Sequence, residues 1–350
     1  MRFSPISNSL FCEFCDTKES IEKRKKEIKE YSFSEALEML NRVKPKQIIK
    51  ETTCSKCSAS FTIEPYSISL NCPYCGTPIV TDFTKEIEVK SLIPFHISQK
   101  EAQKFFKKWI GSLWFAPSKL KKFISGEFNL KGYYLPHWTY DSDTTSEYIG
   151  ERGDIYYVNV ERTVIVNGRE ERQIVQESRI RWTSVSGEVR TYFDDITVGA
   201  SKTISHTILD NLEPWHTNLL VPFNPKYLAG FDSEEYTIGL DDGFKFAKIK
   251  MERVIRRKII NQIGGDQQRI SNMSTHYHNT TYKNVLFPIW TAQFKWNSKS
   301  YNYAINGQTG KVTGQRPYSW FKIMLLVLTI AIIIGGAIYL DAHPDIFNYF

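Results

Sequence analysis

The stretch TCSKCSASFTIEPYSISLNCPYCG, residues 53–76, contains four of the six cysteines in this 350-residue chain. They form two CxxC pairs, Cys54 with Cys57 and Cys72 with Cys75. Each pair is short enough to hold one side of a tetrahedral ion. Four thiolates at about 2.3 Å suit the preference of Zn²⁺ for soft ligands and leave no open coordination position. The sequence therefore predicts a structural zinc ribbon over residues 51–90.

The residues around the two pairs agree with that prediction. The segment SASFTIEPYSISLN alternates apolar and polar residues, which predicts a short hairpin between the pairs. Pro73 and Gly76 suit a tight second knuckle, in which backbone N–H groups turn toward sulfur. Adventitious pairs, or disulfides in a secreted protein, are the competing interpretations, and the spacing favours the metal site.

Cys12 and Cys15, in FCEFC, form a third pair that stands alone. Two thiolates do not close a zinc site by themselves. The pair is interpreted as the remnant second knuckle of an earlier ribbon over residues 1–16, as half of a site completed by another subunit, as a redox motif, or as free thiols. No thioredoxin-like βαβ pattern surrounds it, so we expect a remnant knuckle and a second candidate metal site.

The C-terminal part of the chain predicts a membrane anchor. Ile323 to Leu340, IMLLVLTIAIIIGGAIYL, contains no charged residue. As a helix it would be ~27 Å long, enough to cross a bilayer. A buried core helix is the competing interpretation, but core helices rarely lack a polar face. We expect a transmembrane anchor over 319–342 and a short external tail over 343–350.

The charges that flank this segment predict its orientation. Lys311, Arg316 and Lys322 precede it, and Asp341 and Asp345 follow it. The positive-inside rule then keeps the chain up to residue 322 in the cytoplasm, where reduced thiols can bind zinc. Ala331 and Gly335 have the spacing of a small-residue packing motif, so a homodimer is compatible with the span.

Two predicted helices carry much of the net charge of +7. The first runs from Ser98 to Ile110 with Ser98 and Glu101 as a capping box, and the second from about Phe246 to Ile263. Their candidate contacts to an anionic surface are Lys104, Lys107, Lys108, Arg253, Arg256 and Arg257. A solvated face opposite an apolar stripe explains the same pattern. For a tethered domain, phospholipid is the nearest anion, and nucleic acid is the other candidate.

Between the ribbon and the anchor the pattern is mostly that of strands. A charged helical connector over 17–50 is expected before the ribbon, and a β-rich cytoplasmic domain over 91–318 after it. Runs such as GYYLPHWTYD and IYYVNVERTVIV alternate like strands, and Asn167-Gly168 and Ser186-Gly187 predict hairpin turns. The fold class is α+β, with a few amphipathic helices and one C-terminal transmembrane helix.

One motif of the β-rich part occurs twice. Leu135 to Thr139 reads LPHWT, and Phe287 to Thr291 reads FPIWT. Each copy continues through a strand to a glycine-containing turn, ERG or NGQTG. The repeat predicts a duplicated element in one sheet, or two strands paired around a pseudo-twofold axis. The proline and tryptophan of each copy are expected in the core or at an edge.

Motifs of common catalytic sites are missing from the sequence. It contains no GxxxxGK[ST] phosphate loop, no GxGxxG, no HExxH and no GxSxG. Adjacent acidic residues such as Asp194 and Asp195 point to different sides of a strand and do not by themselves form a two-metal site. We therefore expect a protein that is not an enzyme.

A series of ordered motifs resembles a known family. In order, they are SLIPFHIS, WFAPSKL, GYYLPHWTYD, YIGERG, RIRW, FDDITVGAS, LEPW, YLAGF, IGGDQQRI, LFPIW and NGQTGKVTGQRPYS. This series is similar to bacterial TFIIB-type zinc-ribbon membrane proteins often labelled as like the primosomal protein N′ (replication factor Y), a helicase. The resemblance covers the chain from about Ser32 to the anchor. Members typically begin with a complete first ribbon, from which the lone Cys12 and Cys15 depart.

The resemblance and the residues together lead to one favoured function. Without a phosphate loop the chain cannot be that helicase, and some relatives are associated with envelope-stress systems. We expect a single-pass protein of the bacterial inner membrane, with a structural Zn²⁺, that recruits protein partners to the membrane. The alternative is a membrane-anchored protein that binds nucleic acid through the ribbon and the basic helices. An enzyme of unrecognised type is the third hypothesis.

Overall fold

The computed structural model describes residues 1–12, 14–22, 28–42, 50–64, 66–117, 130–166, 169–296, 299–316 and 318–342. Its α-helices are α1 (Phe33–Arg42), α2 (Gln99–Ser112), α3 (His206–Asn211), α4 (Leu240–Ile263) and α5 (Trp320–Ala342). Its strands are β1 (Arg2–Ser4), β2 (Ser9–Phe11), β3 (Lys18–Ser20), β4 (Tyr31–Ser32), β5 (Lys50–Thr53), β6 (Ser60–Ile63), β7 (Ser67–Asn71), β8 (Pro78–Val80), β9 (Ser91–Leu92), β10 (Lys131–Val166), β11 (Arg169–Gly199), β12 (Val221–Pro222), β13 (Asp232–Glu234), β14 (Gln267–Trp296), β15 (Lys299–Asn306) and β16 (Val312–Gly314). The chain is a β-rich α+β protein, as its sequence predicts.

Three very long strands form the centre of the main sheet. β10 is antiparallel to β11 on one side and to β14 on the other. β14 accompanies β10 only as far as Gly153, which is paired with Gln267. Beyond that point the two strands of the β10–β11 hairpin continue without β14, over 154–166 and 169–181. We call this two-stranded part the arm; at about 3.4 Å per residue it is roughly 40 Å long.

The length of these strands overturns two predicted turns. Ser186-Gly187 lies inside β11, and the ERG sequence that ends at Gly153 lies inside β10. Gly187 instead allows the Tyr148 side chain of the neighbouring strand to lie close to its backbone. A Cβ at Gly187 would be 3.0 Å from Cζ of Tyr148. The Asn167-Gly168 turn lies outside the described residues, between the paired Val166 and Arg169.

The repeated motif lies on two neighbouring strands related by a local pseudo-twofold axis. Leu135 of β10 is paired with Phe287 of β14, so the first residues of the two copies face each other. The short strands flanking them are equivalent too: β13 runs parallel to β10 at Tyr133, and β9 runs parallel to β14 at Val285. The sheet therefore has the order β11-β10-β14-β15, in which each half is equivalent to the other.

In each copy of the motif, the tryptophan also forms a hydrogen bond next to the start of a helix. The indole of Trp138 donates to Ile238 O, and the indole of Trp290 donates to Ile97 O, both at 2.9 Å. Ile238 and Ile97 directly precede the N-caps of α4 and α2. Both tryptophans are buried. The body is thus a duplicated unit of strand, helix and hairpin, β9-α2-β10-β11 and β13-α4-β14-β15, with each copy's tryptophan anchored on the other.

The two amphipathic helices pack as their apolar stripes predict. α2 has the expected capping box at Ser98 and buries Ala102, Phe106 and Ile110. Phe105, an apolar residue of the same predicted helix, is 38% exposed. The buried residues of α4 are Leu240, Gly243, Phe244, Ala247, Met251, Ile255, Ile259 and Ile263. This helix begins at Leu240 and not at the predicted Phe246, because Asp241 and Asp242 occupy its first turn, where carboxylates are favoured.

The N-terminal segments correct the prediction of a helical connector over 17–50. Lys18–Ser20 forms β3 of a small antiparallel sheet with β1 and β2. Tyr31–Ser32 forms β4, which pairs with β14, and of the described residues in this range only Phe33–Arg42 is helical. Residues 23–27 and 43–49 of the predicted connector lie outside the described residues. The strands form because this sheet packs on the core: Phe3 of β1 and Leu10 of β2 are buried there, as is Ile21 directly after β3.

α5 coincides with the predicted anchor. Its segment Trp320–Tyr339 is long and apolar enough to cross a membrane, and none of it is buried against the rest of the protein. It is the candidate membrane-spanning helix of the described residues. The predicted tail over 343–350 lies outside them.

Candidate metal centre

Both cysteine pairs of residues 53–76 form the same tight turn. Cys54 N–H donates to Ala59 O, and Ser58 N–H donates to Cys54 O, each at 2.9 Å. In the second turn Cys72 N–H donates to Thr77 O at 2.8 Å, and Gly76 N–H to Cys72 O at 2.9 Å. Ser58 and Gly76 close the turns with φ of 58° and 70°. Each turn presents its two sulfurs on one side, as a metal knuckle does.

The four sulfurs converge on one point. Their positions all lie within 4.8 Å of one another. Sγ of Cys54 is 3.6 Å from Sγ of Cys75, and Sγ of Cys57 is 3.8 Å from Sγ of Cys72. A disulfide would require about 2.05 Å. Ligands at about 2.3 Å from a tetrahedral ion lie ~3.8 Å apart, so the spacing fits four thiolates around one metal ion.

The thiols of the cluster have strongly different proton affinities. The Thr77 hydroxyl lies 3.1 Å from Sγ of Cys75 and lowers the pKa of that thiol to about 6. Backbone N–H groups of Cys57 and Lys56 lower the pKa of Cys54. The Ala59 N–H also lowers the pKa of Cys57, but burial and the three neighbouring sulfurs outweigh it and raise the value to about 12. Without a cation, four crowded thiols cannot all be ionised, and a metal ion supplies the missing positive charge.

The two knuckles belong to different sheets, which corrects the predicted hairpin between them. β6 pairs with β5 in a two-stranded sheet, whereas β7 pairs with β8 and with β13 of the main sheet. Ser69 Oγ also donates to Phe231 O at 2.8 Å. The second knuckle is therefore attached to the body of the protein, and the first faces it as a separate hairpin. The alternation over SASFTIEPYSISLN reflects two separate strands.

Cys12 and Cys15 form a third knuckle with the same hydrogen bonds. Cys12 N–H donates to Thr17 O and Asp16 N–H donates to Cys12 O, both at 3.0 Å, and Asp16 has a φ of 54°. The Thr17 hydroxyl lies 3.1 Å from Sγ of Cys15 and lowers the pKa of that thiol to about 7. Within the part of the chain that the structure describes, no third cysteine, histidine or carboxylate joins the pair in a metal-sized cluster. The pair has the form of half a site.

A second cluster, which the sequence did not predict, brings together the carboxylates of Asp141, Asp194 and Asp195. A lysine lies against it: Nζ of Lys283 is 2.7 Å from Oδ1 of Asp195 and 3.6 Å from Oδ2 of Asp141. Glu30 completes the group, with Oε1 at 2.9 Å from the same ammonium. Irregularities in the β10 pairing on either side of Asp141 place its carboxylate there. The cation of this acidic cluster is therefore the lysine itself.

The electrostatics of this group follow from its burial. Burial alone lowers the pKa of Lys283, but its hydrogen bonds to Asp195 and Glu30 outweigh that effect and raise the pKa above its ordinary value. Burial raises the pKa of Asp141 to about 6. We interpret the cluster as a buried ion-pair network that joins β10, β11 and β14 to Glu30, which directly precedes β4.

The six predicted anionic-surface residues are all exposed, but they lie on two helices that pack on different apolar clusters. Lys104, Lys107 and Lys108 lie on α2, whose core cluster contains Trp290; Arg253, Arg256 and Arg257 lie on α4, whose core cluster contains Trp138. Nε of Arg256 is 2.8 Å from Oε1 of Glu252, which offsets part of the charge on α4.

The chain is similar to an uncharacterised bacterial protein. It is 27% identical over 252 residues to the uncharacterised protein YdjG of Bacillus subtilis (strain 168), a match that covers 71% of this chain and 70% of that protein. No family model and no solved structure matches the chain. The comparison thus extends over much of the sequence but assigns no activity, and neither finding supports a label taken from the primosomal helicase.

Proposed function

We propose that this protein is a membrane-anchored zinc-ribbon adaptor, which holds a protein partner at the bacterial inner membrane. The observation that carries the proposal is the four-cysteine cluster, whose sulfur spacing of 3.6–3.8 Å fits a closed tetrahedral site. A closed site without a free position serves structure and not catalysis. The proposed Zn²⁺ joins the β5–β6 hairpin to the β7–β8 hairpin.

Zinc content tests this part of the proposal directly. The full chain is purified in mild detergent, and bound zinc is measured by mass spectrometry for wild type, Cys54→Ser and the matched double variant Cys12→Ser/Cys15→Ser. We expect zinc in the wild type and loss of most of it in Cys54→Ser, because three ligands leave the site open. Undiminished zinc in Cys54→Ser would overturn the assignment.

The double variant separates the interpretations of the third knuckle. Unchanged zinc leaves Cys12 and Cys15 as a remnant knuckle. A loss of half a zinc per chain, accompanied by a fall from dimer to monomer mass, would show that two copies share an ion between their N-terminal pairs.

The membrane attachment in this proposal rests on α5. The helix is exposed along its candidate span, and basic residues precede it while Asp341 follows it. In the proposed orientation the ribbon and the sheet face the cytoplasm and only the C-terminal residues lie outside. Such a protein resists extraction from membranes by alkaline carbonate.

The arm is the proposed surface for the partner. Tyr157 and Ile174 are 67% and 71% exposed. Ile155 and Ile180, paired across the two strands, lie on the same face as Tyr157 and Ile174. Ile155, Ile180 and Tyr157 thus form a small exposed apolar group, and exposed apolar surface marks interaction sites in soluble domains.

The edge of the arm indicates how the partner binds. Just before β14 begins, Asp266 accepts a hydrogen bond from Ile155 N–H at 2.7 Å. Further out, from Tyr157 on, β10 has no strand partner on this edge among the described residues. Its outward N–H and C=O groups continue the line of the main sheet. We propose that an extended segment of the partner pairs with this edge in the place that β14 vacates.

Site-specific photo-crosslinking in native cells tests the adaptor function. A photoreactive residue replaces Tyr157 on the arm or, as a matched control, the exposed Tyr192 of β11. We expect a discrete crosslinked product at Tyr157 alone, and its loss when Asn159→Pro is added, because proline at an outward-facing position blocks strand addition. Equal products at both sites would contradict the proposal, and a product of twice the chain mass would replace the partner with a second copy.

The nucleic-acid alternative makes a different prediction. If the exposed arginines of α4 bind DNA or RNA, the affinity of the full chain in detergent for an oligonucleotide falls steeply with salt, because phosphate contacts release counterions. Charge reversal at Arg253 and Arg257 would then reduce the slope of that dependence. A flat salt response removes this alternative and leaves the adaptor proposal untouched.

A further inference from the structure

We infer that the loop after α2 is a second membrane contact. We infer also that this contact holds the cytoplasmic body in a fixed orientation on the bilayer that α5 spans. The loop, residues 113–117, reads LWFAP. This inference rests on the proposed membrane anchor, and it goes beyond that anchor because it assigns a membrane role to residues far from α5 in the sequence.

Ser319, directly before α5, and Lys322, in its first turn, are hydrogen-bonded to this loop. Ser319 N–H donates to Phe115 O at 2.8 Å. Nζ of Lys322 donates to Trp114 O at 3.1 Å and to Ala116 O at 2.9 Å. Since Ala116 is buried in the core of the body, these bonds connect the helix to a rigid element.

The segment that precedes α5 is also hydrogen-bonded to the body. Gln315 N–H donates to Asn302 O of β15 at 2.9 Å. Only three residues lie between Gln315 and Ser319, which is bound to the loop. The connection between body and helix is therefore too short and too well bonded to act as a free linker.

The exposed side chains at this junction are those that prefer a membrane interface. Trp114 is 76% exposed although its neighbours Leu113 and Ala116 are buried. Trp320, at the first position of α5, is 73% exposed, and Tyr318 and Phe321 are exposed beside it. Trp and Tyr concentrate at the boundary between headgroups and acyl chains. Because the loop is bonded to the first turn of α5, Trp114 lies at the depth at which the helix enters the bilayer.

Basic residues of α2 lie close to the same junction. Lys107 and Lys108 are exposed in the last two turns of α2. At about 1.5 Å per residue, Lys108 is within roughly 10 Å of Trp114 along the chain. That distance is comparable with the depth of the headgroup region, so these ammonium groups can reach anionic lipids. Of the predicted surface contacts, the lysines of α2 are therefore the ones assigned to the membrane.

Tryptophan quenching by brominated lipid tests the inference on the full chain. The protein is reconstituted in vesicles of equal parts phosphatidylcholine and phosphatidylglycerol, with the phosphatidylcholine either plain or brominated on the upper part of its acyl chains. Quenching is compared for wild type, Trp114→Phe, Trp320→Phe and Trp182→Phe. Trp182 is the control for the loss of an indole outside the junction, since the Arg269 guanidinium covers its ring at 3.8 Å.

We expect the bromine-quenched emission to fall by roughly half in Trp114→Phe and by a similar amount in Trp320→Phe, because two interfacial indoles carry it. Trp182→Phe leaves the quenched component unchanged. In Lys322→Met, which removes two of the bonds to the loop, the contribution of Trp114 to quenching decreases while that of Trp320 remains.

The outcomes distinguish the two proposals. If Trp320→Phe reduces quenching and Trp114→Phe does not, the loop lies away from the bilayer and this inference is overturned while the anchor stands. If neither substitution changes the quenching and alkaline carbonate extracts the protein, the membrane anchor itself is wrong.

Discussion

The Lys283 ammonium lies among carboxylates that come from three separate parts of the chain. It is 6% exposed, and Asp141 is 3% exposed. Asp195 and Glu30 form ion pairs with the same ammonium. A buried ion pair is not strongly stabilising by itself, but removing one partner leaves the other charges buried and unpaired. The group therefore acts as a specific constraint on the alignment of β10, β11 and β14.

Lys283→Met tests that constraint. We expect a loss of about 3–5 kcal/mol in the free energy of unfolding, because Asp141 and Asp195 lose their counter-charge. The measurement is urea unfolding of the full chain in mild detergent. Lys245→Met on α4 is the matched control: its partners Asp241 and Asp242 are exposed, so its effect on the free energy of unfolding should be much smaller. Equal effects of the two substitutions would show that the cluster is not a buried network.

Two helical glycines with different surroundings make a second residue-scale comparison. A Cβ at Gly243 of α4 would lie 2.6 Å from Cδ1 of Trp138, whereas nothing lies within 4 Å of the same position at Gly111 of α2. Gly243→Ala should destabilise the protein by about 1–3 kcal/mol through overpacking. Gly111→Ala should stabilise it by about 0.5–1 kcal/mol through helix propensity. Thermal unfolding of the two variants checks the opposite signs, and a gain in both would contradict the close packing of α4 on β10.

At the scale of elements, the two hairpins of the metal centre differ in what else holds them. β7 pairs with β13 and β8, so its place in the main sheet does not depend on a metal. β5 and β6 form a two-stranded sheet of their own, and such a hairpin is marginally stable in water. The metal should therefore contribute most to the order of the first knuckle.

Chelation followed by hydrogen exchange tests this difference. After zinc is removed, we expect the amides of β6 to exchange at the rate of an unprotected segment, while those of β7 keep their protection. The Cys12→Ser/Cys15→Ser variant, treated in the same way, serves as the control for effects at the N-terminal knuckle. Simultaneous loss of protection in β6 and β7 would show that the metal supports the whole ribbon as one unit.

For the whole molecule, the duplicated body and the arm have separate proposed roles. The two halves resemble each other in their strands, helices and tryptophan anchors, but only one of their hairpins is long: β14 and β15 end at the pair Trp296 and Lys299, whereas β10 and β11 continue to Val166 and Arg169. Among the arm residues whose side chains the structure describes, none enters the three apolar core clusters. The arm should therefore be dispensable for folding and required for partner binding.

Shortening the arm tests that division. Residues 158–177 are replaced by Asn-Gly, which joins the paired Tyr157 and Ser178 through a two-residue hairpin turn. We expect the free energy of unfolding to change by less than about 1 kcal/mol, because the removed residues whose burial is described are exposed or half-buried. Crosslinking from a photoreactive residue at position 157 should disappear. A protein that no longer folds would show that the arm belongs to the structural core.

Several features follow from short stretches of the sequence, because the physics that produces them is local. CxxC spacing predicts a knuckle, Ser98 with Glu101 predicts the start of α2, and an uncharged run predicts an apolar helix over Ile323–Leu340. In each case the interacting groups lie within a few positions of one another, so their chemistry can be interpreted without knowledge of the fold. The structure has these knuckles and helices at the expected places.

Other features depend on contacts between distant residues, and local patterns do not predict those. Ser186-Gly187 resembles a turn until pairing with β10 makes it part of a strand. Asp141 meets Lys283, and Trp114 meets α5, only after strand register and helix packing bring them together. The strand register is selected by the burial of whole faces, and a shift of one residue would reverse every side chain. For this reason the cysteine knuckles could be predicted from sequence, whereas the pseudo-twofold body, the buried lysine and the junction with the candidate span arise from the tertiary fold.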